Sequence, residues 1–283
     1  MRRTAFLVAA FAFLVSGCSP LTILNWVNPE TAHDRVEVAY GPNPRQRLDL
    51  YRPKGLTRPA PVVVFFYGGG WEAGEKSNYR FAALSLVEYG FVVAVPDYRV
   101  YPEVKFPAFL EDAAKAAAWI RANAGGQGGD TSRLFLMGHS AGAYNAAMLA
   151  LDPRYLAAED VPATAISGVV GLSGPYDFLP LTSDTLKEIF AVSDRAATQP
   201  ITFARKDAPP MLLATGTDDD TVYPRNTRNL ARRLNELGAD IRAVEYPGVG
   251  HAGTVLALTP FFRNKAPVLG DTLAFLKSRS EGK

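Results

Sequence analysis

The chain of 283 residues has a single cysteine, Cys18. No disulfide can form within it, and no metal site built on several thiolates is available. Histidine is scarce as well: His33, His139 and His251 are the only three, so chemistry that needs an imidazole has few candidates. Charge of one sign is also lacking. Thirty Lys and Arg stand against 28 Asp and Glu, a formal net charge of +2, and Arg2 and Arg3 lie at the extreme N-terminus. No basic cluster or acidic run gives an electrostatic argument for nucleic acid or an anionic surface. No nucleic-acid partner, metal or cofactor is expected. Internal repeats are absent. The longest wholly apolar stretch, Ala5 to Val15, has eleven residues, too few to cross a bilayer as a helix.

That stretch follows Arg2-Arg3 and runs into Val15-Ser16-Gly17-Cys18. Positive residues, a short apolar core and small residues are the order of a secretory signal peptide. The last four residues resemble a bacterial lipobox, whose cysteine is lipidated and becomes the new N-terminus. The resemblance implies a signal peptide over residues 1–17, lipidation at Cys18, a tether over 18–34 and a membrane partner through the lipid. Ser19, in place of the aspartate linked with inner-membrane retention, implies an outer-membrane lipoprotein facing the periplasm. The remaining residues, 35–283, suffice for one large domain with a well-buried core.

Within that domain the pattern alternates between strand and helix. Val36 to Tyr40 and Arg47 to Tyr51 alternate like strands, and the turn Gly41-Pro42-Asn43-Pro44 joins them as a hairpin at one end of a sheet. Pro61–Tyr67, Phe91–Val95, Arg133–Met137, Ala165–Leu172, Met211–Thr215 and Ile241–Tyr246 read as strands, several of them apolar throughout, as strands covered on both faces are. Helical stripes fall between them: Phe81, Leu84 and Val87; Phe109, Ala113, Ala116 and Ile120; Leu230, Leu234 and Leu237; Leu269, Leu273 and Leu276. Residues 179–210 have weak periodicity and read as an irregular or helical insertion. The fold class is α/β, a mostly parallel sheet with helices on both faces, and function in such sheets sits at the carboxyl ends of the strands.

One of those ends carries Gly138-His139-Ser140-Ala141-Gly142, between an apolar strand and an Ala-rich helix. In that context Gly-x-Ser-x-Gly is a nucleophile elbow, a strained turn that exposes the serine hydroxyl. A serine hydroxyl needs a base. His33 lies ahead of the sheet, and His139 is expected to point away from the attack face, which leaves His251 in a glycine-flanked loop after the last strand. A carboxylate must orient the base, and Asp218-Asp219-Asp220 follow the strand at 211–215, giving the chain order Ser, Asp, His. Amide donors for an oxyanion are expected from Ala141 and from Gly68-Gly69-Gly70 after the third strand.

With these motifs the chain resembles the α/β-hydrolase carboxylesterases and lipases that carry an HGGG-type oxyanion motif. It also resembles, more narrowly, the bacterial esterases related to bifunctional feruloyl and acetylxylan esterases. Tyr67-Gly68-Gly69-Gly70-Trp71, Asp97-Tyr98-Arg99 with Tyr101-Pro102-Glu103, Gly216-Thr217-Asp218-Asp219 and Gly250-His251 match segments of that family. The resemblance implies a Ser140–Asp219–His251 triad, since the family acid lies three residues after the glycine that ends its strand. It implies hydrolysis of small or short-acyl esters. Tyr67 replaces the family histidine; the oxyanion donors are backbone amides, so the hole is expected to survive, and prenylcysteine methylesterases vary at this position too. Trp71 is expected either to wall the acyl pocket or to hold the loop by packing. Tyr176 and Asp177 are expected to touch substrate, and Asp97, Arg99 and Glu103 to form a structural network. The competing readings are a prolyl-oligopeptidase-type peptidase, which normally has a large β-propeller and a further glycine where this chain has Ala143, an arylformamidase-like amide hydrolase, and a binding lipoprotein on an inactive hydrolase scaffold.

Overall fold

A computed structural model describes residues 31–280 of the chain. The signal peptide, Cys18 and nearly all of the expected tether lie outside the described residues. Among the described residues eight strands form one sheet: β1 (His33–Ala39), β2 (Arg47–Pro53), β3 (Ala60–Phe66), β4 (Val92–Pro96), β5 (Gly129–His139), β6 (Ile166–Leu172), β7 (Met211–Gly216) and β8 (Ile241–Tyr246). Their order across the sheet is β1-β2-β4-β3-β5-β6-β7-β8. β1 and β2 are antiparallel to each other, β2 is antiparallel to β4, and all later pairs are parallel. This is the α/β-hydrolase arrangement expected from the sequence, with the hairpin at one edge.

Eight α-helices of the described residues connect and cover the strands: α1 (Arg80–Val87), α2 (Ala108–Asn123), α3 (Ala141–Leu151), α4 (Pro153–Ala157), α5 (Asp184–Ile189), α6 (Arg225–Leu237), α7 (Gly253–Leu256) and α8 (Val268–Ser278). Successive side chains of a strand point to opposite faces, and the core divides accordingly. Val63, Phe65, Phe135 and Met137 pack with α1 and α8 on one face. Val62, Val64, Leu134 and Leu136 pack with α2, α3 and α6 on the other. The uninterrupted apolar runs of β3 and β5 thus reflect burial on both sides rather than one.

The differences from the sequence reading are local. β5 starts at Gly129, four residues early, because its first residues pair with Ala60 and Pro61 before a register shift. β1 takes in His33 and Asp34, expected in the tether, through pairing with Pro53 and Arg52. The helix expected from about Asn78 opens as a 3₁₀ turn, Lys76–Tyr79, before α1. Residues 179–210 contain α5 and two short 3₁₀ turns, in keeping with the expected insertion. Asp97, Arg99 and Glu103 are structural: Asp97 accepts the Lys76 amide, Arg99 forks onto buried Asp112, and Glu103 accepts from Asn43. Together they tie the loop after β4 to the β1–β2 hairpin and α2.

Candidate active site

The elbow between β5 and α3 is built as its glycines require. Ser140 has φ 55° and ψ −125°, a positive-φ conformation that costs energy for any residue with a Cβ. A Cβ on Gly138 would sit 2.3 Å from the Gly142 backbone, and one on Gly142 would sit 2.0 Å from the Phe66 carbonyl oxygen. Neither contact is possible, so both positions are closed to larger residues. The turn is pinned by the Ser140 amide, which donates to the Leu172 carbonyl at 2.9 Å.

His251 comes from the loop after β8 and meets the elbow. Its Nε2 lies 2.9 Å from Ser140 Oγ, and its Nδ1 lies 2.9 Å from Asp219 Oδ2 and 3.0 Å from Oδ1. An ionised carboxylate can only accept. Nδ1 therefore carries the hydrogen, and Nε2 is left to accept from the serine hydroxyl. Asp219 is 2% exposed and also accepts from the amides of Thr221 and Val222. Burial pushes its carboxyl up, but the hydrogen bonds from His251, the Val222 amide and Ser173 outweigh this and hold it below the ordinary carboxylate value. Asp218 and Asp220 are not buried as Asp219 is, and their side chains bond to neighbouring threonines.

Two residues without a motif of their own complete this unit. Ser173, just past β6 with φ 50°, lies 3.0 Å from Thr254 Oγ1 and reaches Asp219. Thr254 Oγ1 in turn lies 3.2 Å from the His251 carbonyl, to which it donates. Only the strand-end position of Ser173 could have flagged it. Thr254 carries no sequence signal at all.

His139 corrects an expectation. Its ring does not point away from the site but packs against His251, centroids 4.9 Å apart, and its Nε2 donates to the His251 carbonyl at 3.1 Å. Burial, reinforced by the nearby His251, lowers its pKa to about 3, so the ring is neutral and its bond to the His251 backbone is a neutral one.

The glycine loop after β3 faces the elbow. Gly69 and Gly70 have φ 140° and 63°, and with Ala141 they line a cavity of about 490 Å³ that opens onto Ser140 and His251. Among the described residues no acceptor takes the amides of Gly69, Gly70 or Ala141. The Ala141 amide also opens an eleven-residue helix, whose N-terminal dipole favours negative charge. Gly68 differs from expectation. It does not line the cavity; it packs under it, where a Cβ would come within 2.9 Å of Ser140 Cβ.

Tyr67 takes over the anchoring of this loop. It is fully buried, stacked on Tyr98 at 4.7 Å. Arg45 Nη2 donates both to the Tyr67 hydroxyl at 2.9 Å and to the Gly74 carbonyl at 2.8 Å. One guanidinium thereby joins the start of the loop to its end. Arg45 lies in the β1–β2 hairpin, remote in sequence, where no local pattern marks it.

Apolar side chains wall the cavity. Trp71 lines the cavity and is held by packing, with Nε1 donating to Asn145 at 3.1 Å and edge contacts to Tyr144 and Phe190. Phe178, Leu181 and Leu186 from the segment after β6 also line it. Tyr176 and Asp177 are not part of it. Tyr176 is fully buried beneath Gly171 and Gly174, and Asp177 accepts from Asn229 on α6. Their strand-end position is right, but the side chains turn inward and sideways, and Pro175 and Phe178 face the cavity instead. Among the described residues no group of three or more His, Cys, Asp or Glu is placed to hold a metal ion.

Comparison with known proteins gives the family and the fold. The BD-FAE family model matches residues 48–234. Esterase LipC of Mycobacterium tuberculosis (strain ATCC 25618 / H37Rv) is 32% identical over 245 residues, covering 78% of this chain and 60% of the relative. The isoprenylcysteine alpha-carbonyl methylesterase ICME of Arabidopsis thaliana is 30% identical over 244 residues, 78% of this chain and 57% of the relative. The chain thus spans about three fifths of the length of these relatives. A truncated form of a carbohydrate esterase from gut microbiota superposes with TM-score 0.77 at 21% identity, over 89% of this chain and 99% of that one. The apo form of Thermogutta terrifontis esterase 2 does so with TM-score 0.73 at 24% identity, over 88% and 96%. By its motifs, its sheet and the extent of the family match, the chain belongs to the BD-FAE family of α/β-hydrolases.

Proposed function

We propose that the protein is a serine carboxylic-ester hydrolase acting on small or short-acyl esters, with Ser140 as nucleophile, His251 as base and Asp219 as the acid that orients it. The observation that carries this reading is the unbroken chain Ser140 Oγ–His251 Nε2 and His251 Nδ1–Asp219, each link 2.9 Å, beside amides that have no other acceptor among the described residues. Ser140 Oγ attacks the ester carbonyl carbon while His251 Nε2 takes its proton. The oxyanion then accepts from the Ala141 amide and from Gly69 or Gly70, donors that line the cavity. The imidazolium passes the proton to the departing alcohol, leaving Ser140 acylated. Water, deprotonated by the same His251, attacks the acyl carbon and releases the acid, and the proton returns to Ser140. The segment over the site, residues 179–210, contributes one six-residue helix and two short 3₁₀ turns rather than an extended apolar lid, which supports short chains on the acyl side.

The test is turnover of nitrophenyl esters from acetate to palmitate, with acetylated and feruloylated sugars alongside. The wild-type chain should cleave the short esters, and Ser140→Ala should lose at least ~10³-fold in kcat while keeping its fold. Ester turnover in a folded Ser140→Ala variant at near wild-type rate would remove the assignment.

We also propose that Cys18 carries lipid and places the enzyme in the bacterial envelope, at the outer membrane facing the periplasm. The lipobox-like Val15-Ser16-Gly17-Cys18 supports this. Two or three acyl chains would anchor it firmly, since one alone gives marginal binding. Among the described residues no helix is long and apolar enough to cross a membrane. Cys18→Ser should move the protein out of the membrane fraction or block its processing; unchanged partition would contradict the anchor.

A further inference from the structure

At the end of the sheet opposite the site, where β3 and β5 begin, a second cavity of about 490 Å³ is lined by Lys54, Arg58, Tyr89, Arg133, Lys277 and Ser280 among others, with no carboxylate among the described residues of its walls. Arg133 and Lys277 lie far in sequence from Lys54 and Arg58, so the patch shows as no basic run in the chain. Arg133 is already engaged, with Asp130 at 2.7 Å and the Pro59 carbonyl at 2.9 Å. Lys54, Arg58 and Lys277 have no ion-pair partner among the described residues. Among the described residues, Asp130 pairs with Arg133, Glu88 with Arg263 and Asp240 with Arg279. Tyr89 is 38% exposed, with Lys277 Nζ 5.8 Å from its ring centroid. Tyrosine beside lysine, apolar body and polar tip together, is what a headgroup region accommodates.

The N-terminal segment arrives at the same place. β1 starts at His33, which pairs with Pro53, and the Ala32 carbonyl accepts the Lys54 amide at 3.1 Å. The thirteen residues 18–30 could span at most about 45 Å fully extended, so anything fixed at Cys18 stays within reach of this face.

We propose that this basic face docks on the anionic phosphate headgroups of a phospholipid bilayer, with Lys54, Arg58 and Lys277 on the phosphates and Tyr89 at the interface. The esterase site then opens away from the membrane, on the opposite end of the sheet. The face acts with the Cys18 anchor if lipid is attached, but its attraction to anionic lipid does not require it.

The test uses the full chain with Cys18→Ser, so that lipidation plays no part, sedimented with phosphatidylcholine vesicles and with mixed phosphatidylcholine–phosphatidylglycerol vesicles. Each cation near an anionic bilayer strengthens attachment several-fold, so the three together should give a preference for the mixed vesicles of at least ~10-fold at low salt. Raising the salt should weaken it. Lys54→Gln/Arg58→Gln/Lys277→Gln should abolish the preference with ester turnover in solution unchanged, and Lys277→Gln alone should reduce it several-fold. Equal attachment to both vesicles, or a preference retained by the triple variant, would overturn the proposal. So would complete displacement by millimolar inorganic phosphate, which would mark a pocket for a small anion and not a bilayer face. Failure here with lipid found on Cys18 would remove only the docking face; success with no lipid on Cys18 would remove only the anchor.

Discussion

At the scale of single residues, the site depends on which of three adjacent aspartates is buried. Asp219 turns inward to His251, while Asp218 and Asp220 bond to the threonines beside them. Asp219→Asn keeps the size but offers an amide, which favours the wrong imidazole tautomer; in a serine protease the matching exchange costs about 10⁴ in kcat. Here the expected loss is at least ~10²-fold, against much less for Asp218→Asn or Asp220→Asn, measured as kcat on a short nitrophenyl ester. The pH profile follows from the same neighbourhood. A histidine base works only unprotonated, so kcat/KM should fall as the pH is lowered. Asp219, held below its usual value, stays ionised through that fall, and its stabilising contribution is lost only at lower pH, as its own folded-state pKa is passed. His139, lowered to about 3, stays neutral over the same range. The acid limb should therefore show a single proton in a log–log plot of kcat/KM; a two-proton slope would mean that one of these groups titrates with the base. Ser140 and His251 are legible from motif and scarcity. Asp219 needs the family register as well. His139, Ser173, Thr254 and Arg45 are not legible, because their roles come from contacts between chain segments, which no local pattern encodes.

At the scale of elements, the strands are legible because a strand covered on both faces is apolar throughout, and the middle strands of the sheet carry that signature. Boundaries are less so: the first residues of β5 are polar and pair across a register shift, so their composition hides them. The insertion over the site is the least legible stretch. α5 has six residues with a single buried one, Ile189, too short and too exposed to impose a helical period. Yet this stretch and the segment before it line the cavity. Phe178 stacks near Trp71 at 6.1 Å and meets Tyr144 and Phe190 edge-on, closing the cavity on that side. Phe178→Ala should open it, raising the ratio of octanoate to butyrate turnover several-fold, with Tm lowered as the ring contacts are lost. An unchanged ratio would mean that the acyl chain lies along another wall, such as that of Leu181 and Leu186. Tyr176 and Asp177 show the limit of placing residues by element alone. A strand end fixes where a residue is, not where its side chain points.

At the scale of the whole molecule, the sheet separates two chemistries. The carboxyl ends of the strands carry Ser140, His251 and the glycine-loop amides, and the opposite end carries Lys54, Arg58 and Lys277, without ion-pair partners among the described residues, and the entry of the N-terminal segment. Near-neutral composition hides that second face, because charge balance is a property of composition while a patch is a property of folding. Docking depends on that second face alone, and ester hydrolysis on the first, through the proposed role of Ser140 as nucleophile. Its most direct test is reaction of the intact chain with an organophosphonate ester, read by mass spectrometry alongside residual activity. The expected result is one phosphonyl group per chain, located on the peptide containing Ser140, with activity lost in proportion and no label in Ser140→Ala. Inactivation with the label on another residue, or full labelling of Ser140 with ester hydrolysis intact, would contradict it.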